Sequence, residues 1–565
     1  MTADFIFCNG RLVNVYSGEI LNWDLAVAGE RIIYVGPDPA GGGVGRGNRT
    51  QVIDLAGDFL LPGYFDAHAH ADLFYNPAAF AGQVLTGGTT GFFNDGHDLA
   101  SALGAEAYLE IMSGLARSPL SVYTGVPAAA PPYPEVEGEE LWSRAELEAA
   151  LERDFVLGLS EVTPYLRLVR GDESLSRKLD LARRAGKRIE GHTTGANEAR
   201  LNRLALAGVS SCHESLNAED VLRRVRLGYH VMLRQGSIRQ DLPRLIEAVN
   251  QLEHFDLSRL MLVSDGVFAD HLLDWGYLDW IVGQAVELGL EPVKAVQMAS
   301  LNPARYFNLD HLLGGLAPGR LAHLQVVEDL GRPWPRLVMA KGRIAARDGR
   351  LVIPELAPPK AGLGSRPFRL GRLSAEDFRL AEGPGRKSAP AIRIVDRTVT
   401  DLEEVKLEVA AGLIRPRGEL LLASFFSRDG ARVGRGLVAG FCPNLGGLAS
   451  SVAHETHGLL VLGQDEADMA LAAGEVLDMG GGLALVQAGR VRARLSLPLG
   501  GVCSLEPVPV LAGQIKAFHQ SLRELGCDLD YPLWTLGFLT FTSVMRARLT
   551  YQGVFDLKTK TIIFP

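Results

Sequence analysis

The stretch Pro62-Gly-Tyr-Phe-Asp-Ala-His-Ala-His70 decides how this chain is read. In extended backbone, residues two apart share a face. His68 and His70 therefore point the same way. Two neutral imidazoles at that spacing suit a divalent cation such as zinc, iron or manganese. The pair alone is a weak signal, because histidines also sit on surfaces or in satisfied cores. Its weight comes from the chemistry-bearing residues spaced along the next 250 positions.

From Pro62 to about Gly314, short apolar runs alternate with helix-length amphipathic segments, the pattern of repeated βα units. Eight runs are predicted to be strands: GYFDAHAH, TTGFFNDGH, LSVYTGV, FVLGLSE, KRIEGH, GVSSCHE, YHVMLRQGS and LMLVSDG. Amphipathic segments such as NAEDVLRRVRLG and LPRLIEAVNQLEHF lie between them and are predicted to be helices. Eight such units predict an α/β fold, a closed (β/α)8 TIM-type barrel over residues 62–314, with its chemistry at the C-terminal ends of the strands. Glu161, His192, His213 and Asp265 all fall at such ends. Polar residues there also cap helices. Capping accounts for Asp265 taken alone, but poorly for three further metal-type residues beside a His-x-His pair.

Residues 1–61 read as short strands broken by turns, and residues 315–356 return to that character. The two are expected to form one small composite β domain. Residues 357–389, rich in Pro, Gly, Arg and Ser, read as a linker. Residues 390–565 are expected to form an additional C-terminal α+β domain.

With 565 residues, 47% hydrophobic and 22% charged, the chain has ordinary globular composition. A net charge of −9 argues against nucleic acid as a partner, since a phosphate-tracking surface needs excess Lys and Arg. The five cysteines are scattered without a CxxC pair, so neither a disulfide scaffold nor a zinc ribbon is expected. No signal peptide or apolar run of membrane-spanning length is read, and a reducing cytoplasm is the expected location. A homo-oligomer is compatible with the extra domain.

Together these motifs resemble the adenine deaminase family of the metal-dependent amidohydrolase superfamily. The carriers are PGYFDAHAH, Asn94–Ala100, Leu159–Val162, Gly191-His192, Cys212–Glu214, Leu233–Ser237 and Ser264–Gly266. Met298–Ala304 with Leu316–Gly319 is similar to the segment that closes the family's barrel. In the last domain Ala449–His457 is similar to the family's Ser-Ser-x-x-His-Asp-Ser-His motif, and Asp468–Ala470, Gly480–Gly482 and Leu497–Leu499 also match.

The resemblance implies two divalent cations (manganese, iron or zinc). His68, His70 and Asp265 would hold one, His192 and His213 the other, and Glu161 would bridge them. It implies Asp265 and Glu161 as the catalytic carboxylates, Asp265 as the base that accepts the water proton and Glu161 sharing that work, and a small purine-like substrate, most simply adenine hydrolysed to hypoxanthine and ammonia. The ring loses aromaticity during water addition, so the nucleophile must be strong, and a cation can lower the pKa of bound water from about 16 to about 7. Asp95, His97, Arg234, Ser237, His454, Glu455 and His457 are the candidate substrate contacts. Asp95 and His97 are open to an extra metal as well, or to a capping Asp and an exposed His.

The chain departs from the family pattern at Gly266, where a second Asp is usual, at Gln235 for Glu, at Tyr277 for His and at Glu455 for Asp. These changes leave the proposed ligands intact and alter groups that could touch the base. An N6-substituted adenine or another aminated heterocycle is therefore the nearest rival substrate. A cyclic amide is disfavoured, because no Lys lies near the fourth strand end. A different class, a metal-binding scaffold without turnover, would be expected to have eroded its ligand set.

Overall fold

A computed structural model describes residues 1–251, 256–360, 362–363, 366–381, 387–543 and 546–564. All eight predicted strands are present: β1 (Tyr64–Ala69), β2 (Thr89–Asn94), β3 (Ser121–Val126), β4 (Val156–Val162), β5 (Arg188–Gly191), β6 (Ser211–Cys212), β7 (His230–Arg234) and β8 (Leu260–Val263). Strands β1 to β5 form one parallel sheet in sequence order, and β6 to β8 form another.

Hydrogen bonds cross both gaps between these sheets. The Ser210 N–H donates to Ile189 O and the His230 N–H to Ser210 O, which carries β5 over to β7 past β6. On the other side Ala69 bridges Asp265 in parallel, tying the end of β1 to the residues after β8. The strands are buried on both faces, as parallel strands between helices must be.

Helices follow most strands. Asn76, Asp172, Asn197 and Asn217 each cap one by accepting a backbone N–H, and Ser143 with Glu146 forms a capping box. The helix read in NAEDVLRRVRLG spans Ala218–Arg226 and buries Val221 and Leu222. The one read in LPRLIEAVNQLEHF is instead two short helices, Leu242–Leu245 and Glu247–Asn250, with Ile246 between them. Its positions 252–255 lie outside the described residues.

Four of the N-terminal strands form a sheet of their own, and the other three, Arg11–Asn14, Glu19–Leu21 and Phe59–Pro62, share a seven-stranded sheet with the strands after residue 315. There Phe59–Pro62 pairs with both Arg11–Asn14 and Leu324–Val327. Phe7, Leu12, Leu60, Leu324 and Met339 pack into its separate core.

The region after residue 390 carries both strands and helices, as expected of an α+β domain, and is mostly strand. An eight-stranded sheet runs from Ser388–Ile394 to Arg490–Ser496. Helix Glu466–Asp478 and the longer Val508–Glu524 lie against it, and Pro532–Phe538 follows as a short helix. Runs such as Leu420–Phe426 and Leu459–Gly463 are nearly all apolar and buried, as central strands are. Within the stretch read as a linker, a short turn at Ala375–Phe378 buries Phe378 edge-on against Phe426.

Two contacts dock this region onto the strand ends. Cys503–Ser504 pairs in parallel with Phe74–Tyr75, just after β1. Asn76 Nδ2 donates to Ser504 O at 3.0 Å. Among the described residues no helix is long and apolar enough to cross a membrane.

Candidate active site

The six predicted ligand residues converge at the C-terminal ends of the strands. His68 and His70 leave β1 on one face. Asp265 follows β8 in the left-handed region (φ 60°), which costs a non-glycine residue about 1–2 kcal/mol. Its backbone is fixed between the two histidines: its N–H donates to His68 O (3.1 Å) and its carbonyl accepts from His70 N (2.9 Å). Its Oδ1 consequently lies 3.7 Å from His68 Nε2 and 3.4 Å from His70 Nε2.

Glu161, on β4, faces two ways. Its Oε2 is 2.5 Å from His192 Nδ1 and 3.2 Å from His213 Nε2. Its Oε1 is 3.8 Å from His70 Nε2 and 3.7 Å from His97 Nδ1. The His68 ring stacks on His213 at 4.0 Å between centroids, closing the circuit.

All these groups are buried, and their electrostatics follow from the crowding. Burial pushes the His68 imidazole down to about 3, helped by the neighbouring His213. Burial also works against charge on His70 and His192. The hydrogen bond and charge of Asp265 nevertheless hold His70 up to about 9, and Glu214 with Glu161 hold His192 up to about 10. Burial opposes ionisation of Glu161 and Asp265 as well. Their histidine neighbours, with Arg234 beside Asp265, keep both well below the usual carboxylate range.

This donor set fits a cation. Both nitrogens of His68, Nδ1 of His70 and Nε2 of His192 are buried without a hydrogen-bond partner, an expensive arrangement unless something is ligated. His68, His70 and Asp265 can each offer one ligand atom within 4.8 Å of the others; so can His68, Glu161 and His213.

The other candidates divide. Asp95 Oδ1 accepts from His97 Nδ1 (2.6 Å) and its Oδ2 accepts the Glu161 N–H (2.8 Å), so it orients both neighbours from behind. Arg234 is clamped by Glu214, by Asp265 Oδ2 (3.1 Å) and by Asp241 Oδ2 (3.1 Å). Ser237 does not line the cavity: its hydroxyl accepts the Phe268 N–H (2.7 Å) and bonds His271 Nδ1 (2.9 Å). His454 reaches the cavity from the last domain, with Nε2 3.5 Å from His97 Nε2. Glu455 and His457 stay behind it. Glu455 bonds Thr163 (2.7 Å), and burial holds its carboxyl well above the usual range. His457 Nε2 is 2.9 Å from Asp98 Oδ1.

The altered positions are filled differently. A side chain at Gly266 would meet Leu73 Cδ1 at 2.4 Å and Ile238 Cδ1 at 2.9 Å. Gln235 accepts the Leu242 N–H (3.3 Å). Tyr277 donates to Asp66 Oδ2 (2.7 Å), and Asp66 Oδ1 accepts the His68 N–H, so the phenol supports the first histidine from below.

Several residues of the site were not singled out from the sequence. Asp98 Oδ2 lies 2.7 Å from His454 Nδ1, and its Oδ1 accepts the Glu455 N–H (2.9 Å), pinning the last domain to the mouth. Glu214 accepts from Arg234 and Thr194 and lies 3.6 Å from His213 Nε2. Trp534, Phe538 and Phe541 wall a cavity of about 290 Å³ over His70, Glu161 and Asp265. Asp98 and Glu214 were visible as acids immediately following a candidate histidine; the three aromatics carried no signal that separated them from core.

Comparison with known proteins places this geometry. Residues 59–345 match the amidohydrolase family and residues 397–561 match the adenine deaminase C-terminal domain. An adenine deaminase of Moorella thermoacetica is 34% identical, covering 98% of this chain and 94% of that protein. That of Rubrobacter xylanophilus is 37% identical over 99% and 94%. The chain belongs to the adenine deaminase family. A third member, the adenine deaminase of Cenarchaeum symbiosum, is 33% identical over 99% of this chain and 92% of its own length. The family's C-terminal domain is thus the part that supplies His454 and the aromatic wall here.

Proposed function

We propose that this chain hydrolyses adenine to hypoxanthine and ammonia. The observation that supports it best is that Glu161 and Asp265 meet His68, His70, His192 and His213 at the floor of one aromatic-walled cavity, in a chain of this family. On this reading the eight parallel strands close into a (β/α)8 barrel over residues 62–314. Residues 1–61 and 315–356 form the composite β domain, 357–389 the connection, and 390–565 the domain that caps the mouth.

His68, His70 and Asp265 would hold one divalent cation, His192 and His213 a second, and Glu161 both; manganese, iron and zinc all suit imidazole and carboxylate. Cations held there supply the acidity that yields a strong nucleophile from water at neutral pH. Water adds at C6, a ring nitrogen gains a proton, and the resulting tetrahedral carbon expels ammonia. Asp265 accepts the proton of the attacking water, and Glu161 shares in moving protons to the ring and the leaving amine. Arg234 positions Asp265 through its Oδ2. His454 faces the substrate, with Asp98 orienting it and His97, held by Asp95, behind it. Trp534, Phe538 and Phe541 offer flat apolar faces to a purine, and about 290 Å³ is near the lower end of small-ligand sites.

The test is a panel of adenine, N6-substituted adenines and other aminated heterocycles, followed by ammonia release. Hypoxanthine formed from adenine supports the proposal. Silence on every purine rejects it, and stoichiometric metal without turnover would mark the chain as a scaffold. The reading puts the protein in the cytoplasm.

A further inference from the structure

Two of the five cysteines meet in the last domain. Cys442 follows the strand Val433–Ala439 of the eight-stranded sheet, and Cys527 follows the helix Val508–Glu524. The turn after that helix lies directly on the segment after the strand. Cys442 Sγ donates to Leu525 O at 3.6 Å, and Asn444 Nδ2 donates to the same carbonyl at 3.1 Å. A Cβ on Gly526 would stand 3.2 Å from Pro443 Cγ. Within this contact the two thiols share a hydrogen bond, and both are free.

The pair is asymmetric. The Cys527 thiol and the Asn444 N–H donate to Cys442 and hold its thiol below the ordinary value, against burial. The hydrogen bond to Cys442, with burial, pushes the Cys527 thiol up. Cys442 is therefore the more readily ionised sulfur, and Cys527 stands beside it. That is the arrangement of an attacking thiol next to a resolving one. Both side chains are buried, yet exposed Asn444 and Asp528 flank them, so a small oxidant has one layer to cross.

We propose that Cys442 and Cys527 form a reversible oxidation site, at which hydrogen peroxide converts the two thiols into one disulfide that ties the end of the helix to the central sheet. The Cys442 thiolate attacks one peroxide oxygen and the O–O bond breaks, leaving a sulfenic acid and hydroxide. The Cys527 sulfur then displaces the sulfenic oxygen, which forms the S–S bond and leaves as water. In sum, two thiols and one peroxide give one disulfide and two waters; both sulfurs are oxidised and the peroxide is reduced. The bridge closes a loop over residues 443–526, which restricts the unfolded chain. It also fixes the turn that leads into Pro532–Phe538, the helix that carries Trp534 and Phe538 of the cavity wall.

The experiment treats the full-length protein with hydrogen peroxide, unfolds it in an alkylating agent, counts free thiols and maps the linked peptides by mass. We expect the count to fall from five to three, with Cys442 joined to Cys527, and to return to five after dithiothreitol. C442S and C527S should keep all their remaining thiols under the same treatment. The oxidised wild type should melt about 5 °C or more above the reduced protein, and C527S should show no such rise. A count that stays at five, a bridge between any other cysteines, or a loss that dithiothreitol does not reverse would overturn the proposal. An oxidised form that melts no higher than the reduced one would overturn the tether.

Discussion

His70 and Asp265 meet twice: the His70 N–H donates to the Asp265 carbonyl at 2.9 Å, and the Asp265 carboxylate lies 3.4 Å from His70 Nε2. Main chain and side chain together fix the acid after the eighth strand against the imidazole after the first. The strained backbone of Asp265 is the cost of this arrangement, and strain held by surrounding bonds gathers at functional sites.

Glu161 is the group on which the two halves of the site depend. Glu161→Gln keeps the shape and removes the charge. We expect kcat for adenine to fall by about 10²–10⁴, the usual range for a group that moves protons, with a parallel loss of bound metal. Steady-state kinetics beside elemental analysis measures both, and near-normal turnover would remove Glu161 from the chemistry.

Trp534 should act on binding more than on chemistry. Base–aromatic stacking contributes about 1–3 kcal/mol, so Trp534→Ala is expected to raise KM by roughly 5- to 150-fold with a smaller change in kcat. A lower kcat at constant KM would show that the wall positions the reacting atoms instead.

At Gly266 a Cβ would press on Leu73 and on Ile238, which lines the cavity. Both contacts are the ends of flexible side chains, so Gly266→Ala should cost about 1 kcal/mol, the low end of overpacking. The displaced Ile238 should raise KM. Calorimetry with kinetics on the same sample tests the pair; an unchanged KM would mean that the cavity absorbs the shift elsewhere.

Glu137 gives a pH signature away from the site. It is buried, accepting from Tyr133 N (2.7 Å) and Thr542 Oγ1 (2.7 Å), and burial pushes its carboxyl up to about 8 from 4.5. The folded state therefore holds this proton after the unfolded chain has released it. Its contribution to stability is fully present below pH 4.5, declines as pH rises and levels off above about 8. Glu137→Gln should make the protein more stable than wild type at about pH 8, with the advantage shrinking towards about pH 5. Melting curves across that range decide; a parallel offset at every pH would contradict the assignment.

Much of this was legible in the chain because the parallel strands are short apolar runs, each ending on a residue that bears chemistry. His68, Glu161, His192, His213 and Asp265 could be placed by position alone. Asp98 was harder, since its partners His454 and His457 lie more than 350 residues away and only tertiary docking joins them. Trp534, Phe538 and Phe541 have helical spacing that a core face would also show. Ser237 looked available after the seventh strand, yet its hydroxyl is taken by Phe268 and His271. The proportion of strand in the last domain was not legible, because its central strands are nearly continuous apolar runs, which periodicity does not separate from buried helix.

The most direct test of the account is reconstitution of chelator-stripped protein with measured equivalents of manganese while ammonia release from adenine is followed. Activity should be negligible without metal, rise until two equivalents are bound at the catalytic ligands, and fail to return in H68N/H70N. Full turnover of adenine by the metal-free protein, or undiminished turnover by that variant, would contradict it.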